Sequence, residues 1–379
     1  MSINDATSAG GGSILDKVIA SKEDQEKRDF DPSEVINQLL KTISDKEADV
    51  LRRRFGLGGK AKETLEAIGN SYNVTRERVR QIENLAVKKI KEHSSFVNMV
   101  KPVEHVVLTV LEENGGIMNE AHLLEELFTV GRSKSDDQAV LFMISELFDF
   151  RFTKVGPNAK FEKSWQAKTA DLDFVIKTIE MLIDLIKEED QPMELTVLYN
   201  RVKEREFYKL NAENLNRQII TSYLQVSKKI AVNPFGEYGL RSWGSVMPRR
   251  MNDKIYLVLK KMGKPMHFVD IAKQVSEVFN KEAYPPTVHN ELILNKHYVL
   301  VGRGIYALKE WGYKKGVVAD VIIDVMRKRG NPMQRDEIVD AVLKERIVKK
   351  NTIHLALTNR ETFIKLSDGR FTLKESISE

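Results

Sequence analysis

The chain has 379 residues, more than one hydrophobic core usually serves, so we expect several separately folded parts. Cysteine is absent, which excludes disulfide frameworks and thiolate metal sites and fits a reducing compartment. No run approaches the roughly 18 apolar residues of a membrane-spanning helix, and the start MSINDATSAGGGS has no signal-like character, so we expect a cytoplasmic, nucleoid-associated protein without a membrane partner.

The net charge of +5 permits nucleic-acid binding without requiring it, and its distribution is more informative than its size. Between Lys46 and Glu92 there are 12 Lys and Arg residues against 7 Asp and Glu residues, which accounts for the whole excess. The rest of the chain balances to zero. A contact with nucleic acid is therefore expected in this short segment first.

In chain order, residues 1–30 combine a GGG run with small polar residues and the mixed-charge run SKEDQEKRD. They carry too little apolar surface to offset the entropy of ordering, so we expect a flexible tail. From Asp31 the pattern becomes helical, with the apolar residues from Val35 to Ile43 on one stripe. A second helix begins at about Ser44, and the sequence GLGG ends it.

Residues Thr64 to Ile90 predict a helix-turn-helix. The first helix is TLEAIGNSY, and Asn73 suits the left-handed backbone angles of the turn that follows. The second helix begins after Thr75, whose hydroxyl can cap it, and it has one face that packs and one that can enter a groove. The packing face is Val79, Ile82, Ala86 and Ile90, and the opposite face is Arg76, Glu77, Arg80, Gln81, Asn84 and Lys88.

Glu77 lies between Arg76 and Arg78, which bears on the kind of DNA contact this helix makes. A surface that only binds phosphates has no use for a carboxylate. Base reading in the major groove does, because a carboxylate accepts a hydrogen bond from cytosine N4, while arginine pairs with guanine and glutamine with adenine. The alternative is that Glu77 is simply a favourable anion at a helix N-terminus. The mixed chemistry of its neighbours favours sequence reading.

The segment FGLGGKAKETLEAIGNSYNVTRERVRQIENLAVKKIKEH resembles region 4 of the housekeeping-type sigma factors of the sigma-70 family, and the resemblance covers about Asp31 to His93. It implies a helix that reads the −35 element of duplex promoter DNA and a contact with the β flap of core RNA polymerase. It also implies individual roles. Base contacts would come from Arg76, Glu77 and Gln81, contacts on or near phosphates from Thr75, Arg78 and Arg80, and backbone contacts from Lys46 and Arg54. Lys88, on the face of the second helix that can enter a groove, is a further candidate DNA contact.

Two departures from this family bear on function. Where the family usually has a lysine two residues after the glutamate of QIE, this chain has Leu85, which has no charge for a phosphate or activator contact. Sigma factors open the −10 element with an upstream domain rich in aromatic residues, whereas only about 30 residues precede the first helix here. We therefore expect a protein that binds duplex DNA but does not open a promoter alone.

Beyond about Ser95 the sequence repeats. QPMELTVLYNRV (191–202), KPMHFVDIAKQV (264–275) and NPMQRDEIVDAV (331–342) share Pro-Met, an aliphatic residue six positions after the proline and Val ten after it, and GIMNEAHLLEEL (116–127) is a divergent copy. Trp165, Trp243 and Trp311 end successive copies. Each copy predicts a helix, a Pro-Met turn, a short helix, a third helix and two strands, which together make a winged helix.

The sequence therefore predicts a mainly α protein: a helix-turn-helix domain (31–95) followed by four tandem winged-helix units, each of three helices and a β-hairpin. The predicted units span residues 96–168, 169–246, 247–313 and 314–379. We refer to them as the first to fourth repeats.

The third repeat is similar to the HARE-type winged helix of the delta subunit of bacterial RNA polymerase, across Met251 to Tyr313. In a DNA-binding interpretation, the helix after Thr287 would enter the groove and the wing would reach a phosphate or the minor groove. The side chains available are His289, Asn290 and Lys296 on the helix side and Arg303 at the wing tip. Alternatively the repeats bind protein or act as a spacer, which their near-neutral charge favours.

The sequence carries no motif of catalysis or of cofactor binding. The seven histidines show no metal-ligand spacing, GRG at 302–304 is a hairpin turn rather than a phosphate loop, and no nucleophile has a neighbouring base. We expect no enzyme, metal or cofactor. The predicted function is sequence-specific DNA binding in bacterial transcription initiation, which would recruit or tether RNA polymerase or occlude a promoter from the true sigma factor. The alternative is a delta-like accessory subunit that acts by protein contact with the polymerase.

Overall fold

A computed structural model describes residues 30–128, 132–313, 318–345 and 348–374. The expected flexible tail, apart from Phe30, lies outside the described residues. The described chain is mostly helical, with small sheets of two or three strands. Every helix within these ranges is too short or too polar to cross a lipid bilayer. The chain divides into two compact units, Met1–Ala231 and Val232–Glu379.

Four α-helices begin the described part of the first unit, and local sequence explains several of their ends. Asp31 accepts a hydrogen bond from the backbone N–H of Glu34 at the start of the first helix. The second begins with a capping box in which the backbone N–H of Ser44 donates to Glu47 (3.0 Å), and it ends at Gly56, whose φ is +74°. The helices are α1 (Pro32–Leu40), α2 (Asp45–Phe55), α3 (Leu65–Tyr72) and α4 (Arg76–Glu92).

Residues 96–167 combine helices with a three-stranded antiparallel sheet. The central strand β3 pairs with both β1 and β2, and Met118 lies opposite Trp165. The elements are α5 (Phe96–Glu113), β1 (Ile117–Asn119), α6 (Glu120–Leu127), α7 (Lys134–Phe142), which continues as the π-helical Met143–Leu147, β2 (Phe152–Val155) and β3 (Ser164–Ala167).

One continuous hydrophobic core joins α1, α2 and α4 to residues 96–167. The apolar stripe of α1 packs against α5 and α7, so that Leu39 belongs to the same buried cluster as Phe142 and Trp165. At the edge of this contact, the Ser33 hydroxyl donates to Asp136 (2.5 Å). Because α1 completes its core with helices of the first repeat, the helix-turn-helix part and this repeat form one folded body.

The first unit continues with a second set of helices, of which the last packs against β1. Ser222 Oγ donates to the carbonyl of Ile117 (2.7 Å), and the Tyr223 hydroxyl donates to the carbonyl of Gly115 (2.9 Å). Both side chains are buried, so this helix faces the preceding repeat. The elements are α8 (Leu172–Glu189), β4 (Met193–Glu194), α9 (Leu195–Glu204), α10 (Glu206–Leu210), α11 (Arg217–Val226) and β5 (Ile230–Val232), within which the two units divide.

The second unit contains the end of the second repeat and the third and fourth repeats. In the third, β9 pairs antiparallel with both β7 and β8; in the fourth, β10 pairs with β11, and Met333 forms an isolated bridge with Phe371. The elements are β6 (Glu237–Leu240), α12 (Met251–Met262), β7 (Met266–His267), α13 (Phe268–Phe279), α14 (Pro285–Leu294), β8 (Tyr298–Gly302), β9 (Ile305–Leu308), α15 (Val318–Arg329), α16 (Arg335–Glu345), α17 (Lys350–Ala356), β10 (Phe363–Lys365) and β11 (Phe371–Leu373).

The Pro-Met steps of the third and fourth repeats differ from the prediction of a simple turn. Met266 lies in a two-residue strand opposite Tyr306, and Met333 bridges to Phe371. The prediction was wrong because the backbone groups of these residues need partners, and the edge of the following hairpin supplies them. The predicted hairpin turn at Gly302 to Gly304 is confirmed between β8 and β9.

Candidate nucleic-acid interface

The turn between α3 and α4 has the backbone geometry that the sequence predicts. Asn73 adopts a left-handed conformation (φ +53°), and Thr75 Oγ1 accepts a hydrogen bond from the backbone N–H of Arg78 (3.2 Å). Sequence analysis missed Gly69, where a Cβ would lie 2.6 Å from the carbonyl oxygen of Val74. The close approach of α3 to the turn therefore requires glycine, and a glycine inside a helical pattern was the available signal.

The inward face of α4 is buried as predicted. Val79 is fully buried in a small cluster with Val50 of α2, which fixes the start of α4. Ala86 and Ile90 are fully buried in the larger core shared with residues 96–167, and Ile82 is half-buried. The helix is thus held along its length, and its opposite face is oriented by the core of the whole N-terminal body.

That opposite face is exposed to solvent over the full helix. The exposed residues include every predicted contact on or next to it: Thr75, Arg76, Glu77, Arg78, Arg80, Gln81 and Lys88, together with Asn84. Its first turns present guanidinium, carboxylate and carboxamide groups side by side. A helix with such a face free has the size and the hydrogen-bonding groups to read base edges in the major groove.

Glu77 and Arg80 form a bidentate ion pair on this face. Arg80 Nη2 lies 2.7 Å from Glu77 Oε1, and Arg80 Nε lies 3.0 Å from Oε2. The hydrogen bonds from Arg80 lower the pKa of Glu77, and those to Glu77 raise the pKa of Arg80. Both side chains are 56% exposed, so the pair adds little stability and DNA groups can replace either partner. Arg78 likewise donates to Gln81 (3.1 Å).

The two predicted backbone contacts from α2 have different surroundings. Lys46 is exposed, with its Nζ 5.1 Å from the centre of the Tyr72 ring. Arg54 is half-buried, and its Nε lies 3.5 Å from Glu83 Oε2, so it connects α2 to α4. Burial raises the pKa of Glu83, and the Arg54 charge opposes that rise. Arg54 therefore has less freedom to reach a phosphate than Lys46.

Arg53, which sequence analysis did not select, connects several parts of the helix-turn-helix. It donates to both carboxylate oxygens of Glu63 (2.8 and 2.6 Å) and to the hydroxyl of Ser71 (2.7 Å). The hydrogen bonds between Arg53 and Glu63 raise the pKa of Arg53 and lower that of Glu63. The side chain therefore links α2 to the segment before α3 and to α3 itself.

Glu47 links the start of α2 to the second half of α4. Its carboxylate is buried and accepts a hydrogen bond from Lys89 Nζ (2.6 Å) in addition to those from Ser44. Farther along α4, Lys91 donates to Asp149 (2.6 Å). These two lysines of the basic segment therefore hold α4 in place.

We expect Glu47→Gln to lower the free energy of unfolding by about 1–3 kcal/mol at neutral pH, because a buried hydrogen bond to a charged group is lost. The hydrogen bond from Lys89 lowers the pKa of Glu47. The carboxylate therefore stabilises the fold above the pKa of unfolded Glu, and this stabilisation is lost as pH falls through the lower pKa of the folded state. Urea unfolding at neutral pH and near pH 3 should show the difference from wild type shrinking in acid.

The control is Glu92→Gln, since Glu92 pairs with Lys88 at 3.7 Å on the exposed surface. We expect it to change stability by less than about 0.5 kcal/mol at either pH. A Glu47→Gln effect of equal size at both pH values would contradict the role given to the charge.

In the third repeat, the predicted contact residues divide into two groups. His289 is half-buried, with its ring stacked on Phe268 (centroids 4.4 Å apart) and edge-on to Tyr306 (5.8 Å). Its ring therefore packs within the repeat. Asn290, Lys296 and Arg303 are exposed, and Arg303 lies in the turn between β8 and β9.

Comparison with known proteins finds similarity in the N-terminal part of the chain. The model of the family "Sigma-70, region 4" matches residues 39–92. RNA polymerase sigma factor SigA of Lactococcus lactis subsp. cremoris is 43% identical over 81 residues, which are 21% of this chain and 22% of that protein. SigA of Microcystis aeruginosa is 50% identical over 58 residues (15% and 14%), and RpoD of Helicobacter pylori is 43% identical over 89 residues (23% and 13%).

The chain therefore spans less than a quarter of the length of these curated relatives, and the three matches cover 58 to 89 of its residues. Within the helix-turn-helix part, the resemblance to sigma region 4 is confirmed. It supports a DNA-binding role related to transcription. The similarity of the third repeat to HARE-type domains stays a prediction.

Proposed function

We propose that this protein binds duplex DNA sequence-specifically in bacterial transcription initiation, with α4 reading a −35-like promoter element. The observation that carries the proposal is the exposed first half of α4. Arg76, Glu77 and Gln81 lie there on one face, while Val79 and Ala86 on the other face are fully buried. The family match over residues 39–92 supports the same reading of this helix.

The ion pair of Glu77 with Arg80 suggests how selectivity arises. On docking, Glu77 would accept a hydrogen bond from cytosine N4, and Arg80 would exchange its carboxylate partner for a phosphate. Opposite a base that offers only acceptors, Glu77 would face repulsion with no partner, so the wrong sequence is disfavoured. Arg76 would pair with guanine and Gln81 with adenine. Thr75, Arg78, Lys46 and Lys88 would bind the DNA backbone, with Arg54 contributing only if its pairing with Glu83 opens.

The four repeats are proposed to be winged-helix units at residues 96–168, 169–246, 247–313 and 314–379, of which the third is HARE-like. In this proposal, the protein contacts core RNA polymerase, with the β flap as the expected surface. It either recruits or tethers the polymerase or occludes a promoter from the true sigma factor. The wing residue Arg303 is a possible further DNA contact.

A second candidate is a polymerase-associated accessory subunit that acts through protein contacts alone. It is favoured by the burial of α11, because this last helix of the second repeat uses Ser222 and Tyr223 to pack on β1 rather than presenting them to a groove. At least one repeat therefore uses this helix for packing within the chain rather than for DNA contact.

Selection of bound sequences from a pool of random duplex DNA, with the full chain and at stated salt, tests the proposal. We expect enrichment of one short motif, which an Arg76→Ala/Glu77→Ala variant no longer enriches. The same two proteins are then tested for co-purification with core RNA polymerase. Polymerase binding without any enriched motif would reject base reading and support the accessory-subunit function.

A further inference from the structure

The fourth repeat contains a solvent-open cleft with a basic rim. Its volume is about 570 Å³, and it lies between the start of α16, the end of α17 and strand β10. Leu357, Phe363 and Phe371 form an apolar floor. The rim carries Arg335, His354, Arg360 and Lys365. Of the residues that the structure describes, no carboxylate lines this cleft.

The rim cations have no acidic partners among the described residues. Arg335, Arg360 and Lys365 are exposed, and none of them forms an ion pair with a described carboxylate. Two other cations of this repeat are neutralised locally, since Lys328 pairs with Glu345 (3.0 Å) and Arg329 with Glu337 (2.9 Å). The positive charge of the rim is therefore available to a ligand.

The fourth repeat differs from the third in the side chains at the positions of the cleft rim. The buried Val288 and Tyr298 of the third correspond in element and spacing to Ile353 and Phe363 of the fourth. At the rim positions, the third repeat has Phe268, His289, Asn295 and Leu300 in place of Arg335, His354, Arg360 and Lys365. Two of these residues of the third repeat, Phe268 and His289, stack on each other with ring centroids 4.4 Å apart.

Charge over the whole segment agrees with this local difference. Residues 314–379 contain 14 Lys and Arg residues against 10 Asp and Glu residues. The net charge of zero outside residues 46–92 is therefore the sum of a positive fourth repeat and a negative remainder. Phosphate neutralisation by lysine and arginine is the main source of affinity for nucleic acid that does not depend on sequence.

We propose that this cleft is a second DNA site, which binds the phosphodiester backbone of a duplex without reading its bases. The proposal rests on the function proposed above, in which the same chain already holds duplex DNA, so that the cleft meets DNA at raised effective concentration. The guanidinium groups of Arg335 and Arg360 suit phosphate oxygens, and Lys365 and His354 add single donors. The site raises the affinity of the protein for DNA and the lifetime of the complex, whereas the preference for a sequence comes from α4.

The test is an Arg360→Ala/Lys365→Ala variant of the full chain, titrated with a duplex that lacks the selected motif across a range of salt concentrations. We expect binding about tenfold weaker at low salt and a slope of log affinity against log salt reduced by about 2, since each lost phosphate contact removes about 0.9. The matched control is Lys328→Ala/Arg329→Ala, which removes the same charge from paired positions and should leave the slope unchanged. Circular dichroism and thermal melting establish that both variants are folded.

Failure of this proposal is distinguishable from failure of base reading. In an Arg76→Ala/Glu77→Ala background, motif selection is lost while the effect of the two cleft substitutions on salt dependence should persist. An unchanged slope in the cleft variant would overturn the proposal. So would a poly-glutamate peptide that binds wild type but not the cleft variant while DNA binding is equal in both, because that result assigns the cleft to an acidic protein partner.

Discussion

Arg76→Ala should weaken binding to the selected motif by about 5- to 150-fold, which corresponds to the roughly 1–3 kcal/mol of one bidentate arginine–guanine contact. Arg76 is the first residue of α4 and its side chain is exposed, so the guanidinium group is free to make such a contact. Binding to a duplex without the motif should fall much less, because there Arg76 contributes only charge. Competition titrations with the motif and with scrambled duplex measure both effects.

Arg249→Ala is the control for charge, since Arg249 is an exposed arginine outside the helix-turn-helix. It should weaken binding to both duplexes slightly and equally. A loss of the same size on motif and scrambled DNA in Arg76→Ala would show that this arginine binds phosphate. The Glu77→Gln variant provides a second test. If it selects the same DNA motif as wild type, Glu77 does not read a base and acts only as a favourable anion at the helix N-terminus.

Leu39→Ala should lower the free energy of unfolding of the N-terminal body by about 2–5 kcal/mol, because the side chain is fully buried and its removal leaves a cavity. The effect should reach far along the chain, since Leu39 and Trp165 belong to one core. In a background with Trp243→Phe and Trp311→Phe, urea unfolding followed by Trp165 fluorescence should shift to lower urea in the Leu39→Ala variant.

Leu85→Ala is the matched control, because Leu85 is 48% exposed on α4. We expect a change of less than about 0.5 kcal/mol. If Leu39→Ala abolished DNA binding while the Trp165 transition stayed where it is in wild type, the helix-turn-helix and the first repeat would be separate folding units, contrary to the shared core.

The features of the helix-turn-helix that sequence predicted are those that depend on near neighbours along the chain. The Thr75 cap involves Arg78, three residues on, and the two faces of α4 follow from helical periodicity. The left-handed Asn73 needs only its own short side chain. The exposure of the predicted contact face could also be predicted, because it depends on helical periodicity alone.

The features that sequence did not predict depend on distant partners. Periodicity marks Leu39 as buried but does not show that α7, about a hundred residues later, covers it. Three consecutive arginines, Arg52 to Arg54, have the same chemistry, and only the folded positions of Glu63 and Glu83 separate their roles. The stacking of His289 on Phe268 could not be read from a helix pattern either, because the two rings come from different helices.

The packing of α11 on β1 limits which helices of this protein can be exchanged between repeats by recombination. Ile220 and Leu224 of α11 have Val288 and Leu292 as their counterparts in α14, so a swap of the two helices would keep the core of the repeat. It would also set Asn290 and Glu291 where Ser222 and Tyr223 now lie, and so place a carboxylate against the carbonyl of Gly115. The swap would therefore leave a charge next to a carbonyl with no partner for it, so the two helices are not interchangeable.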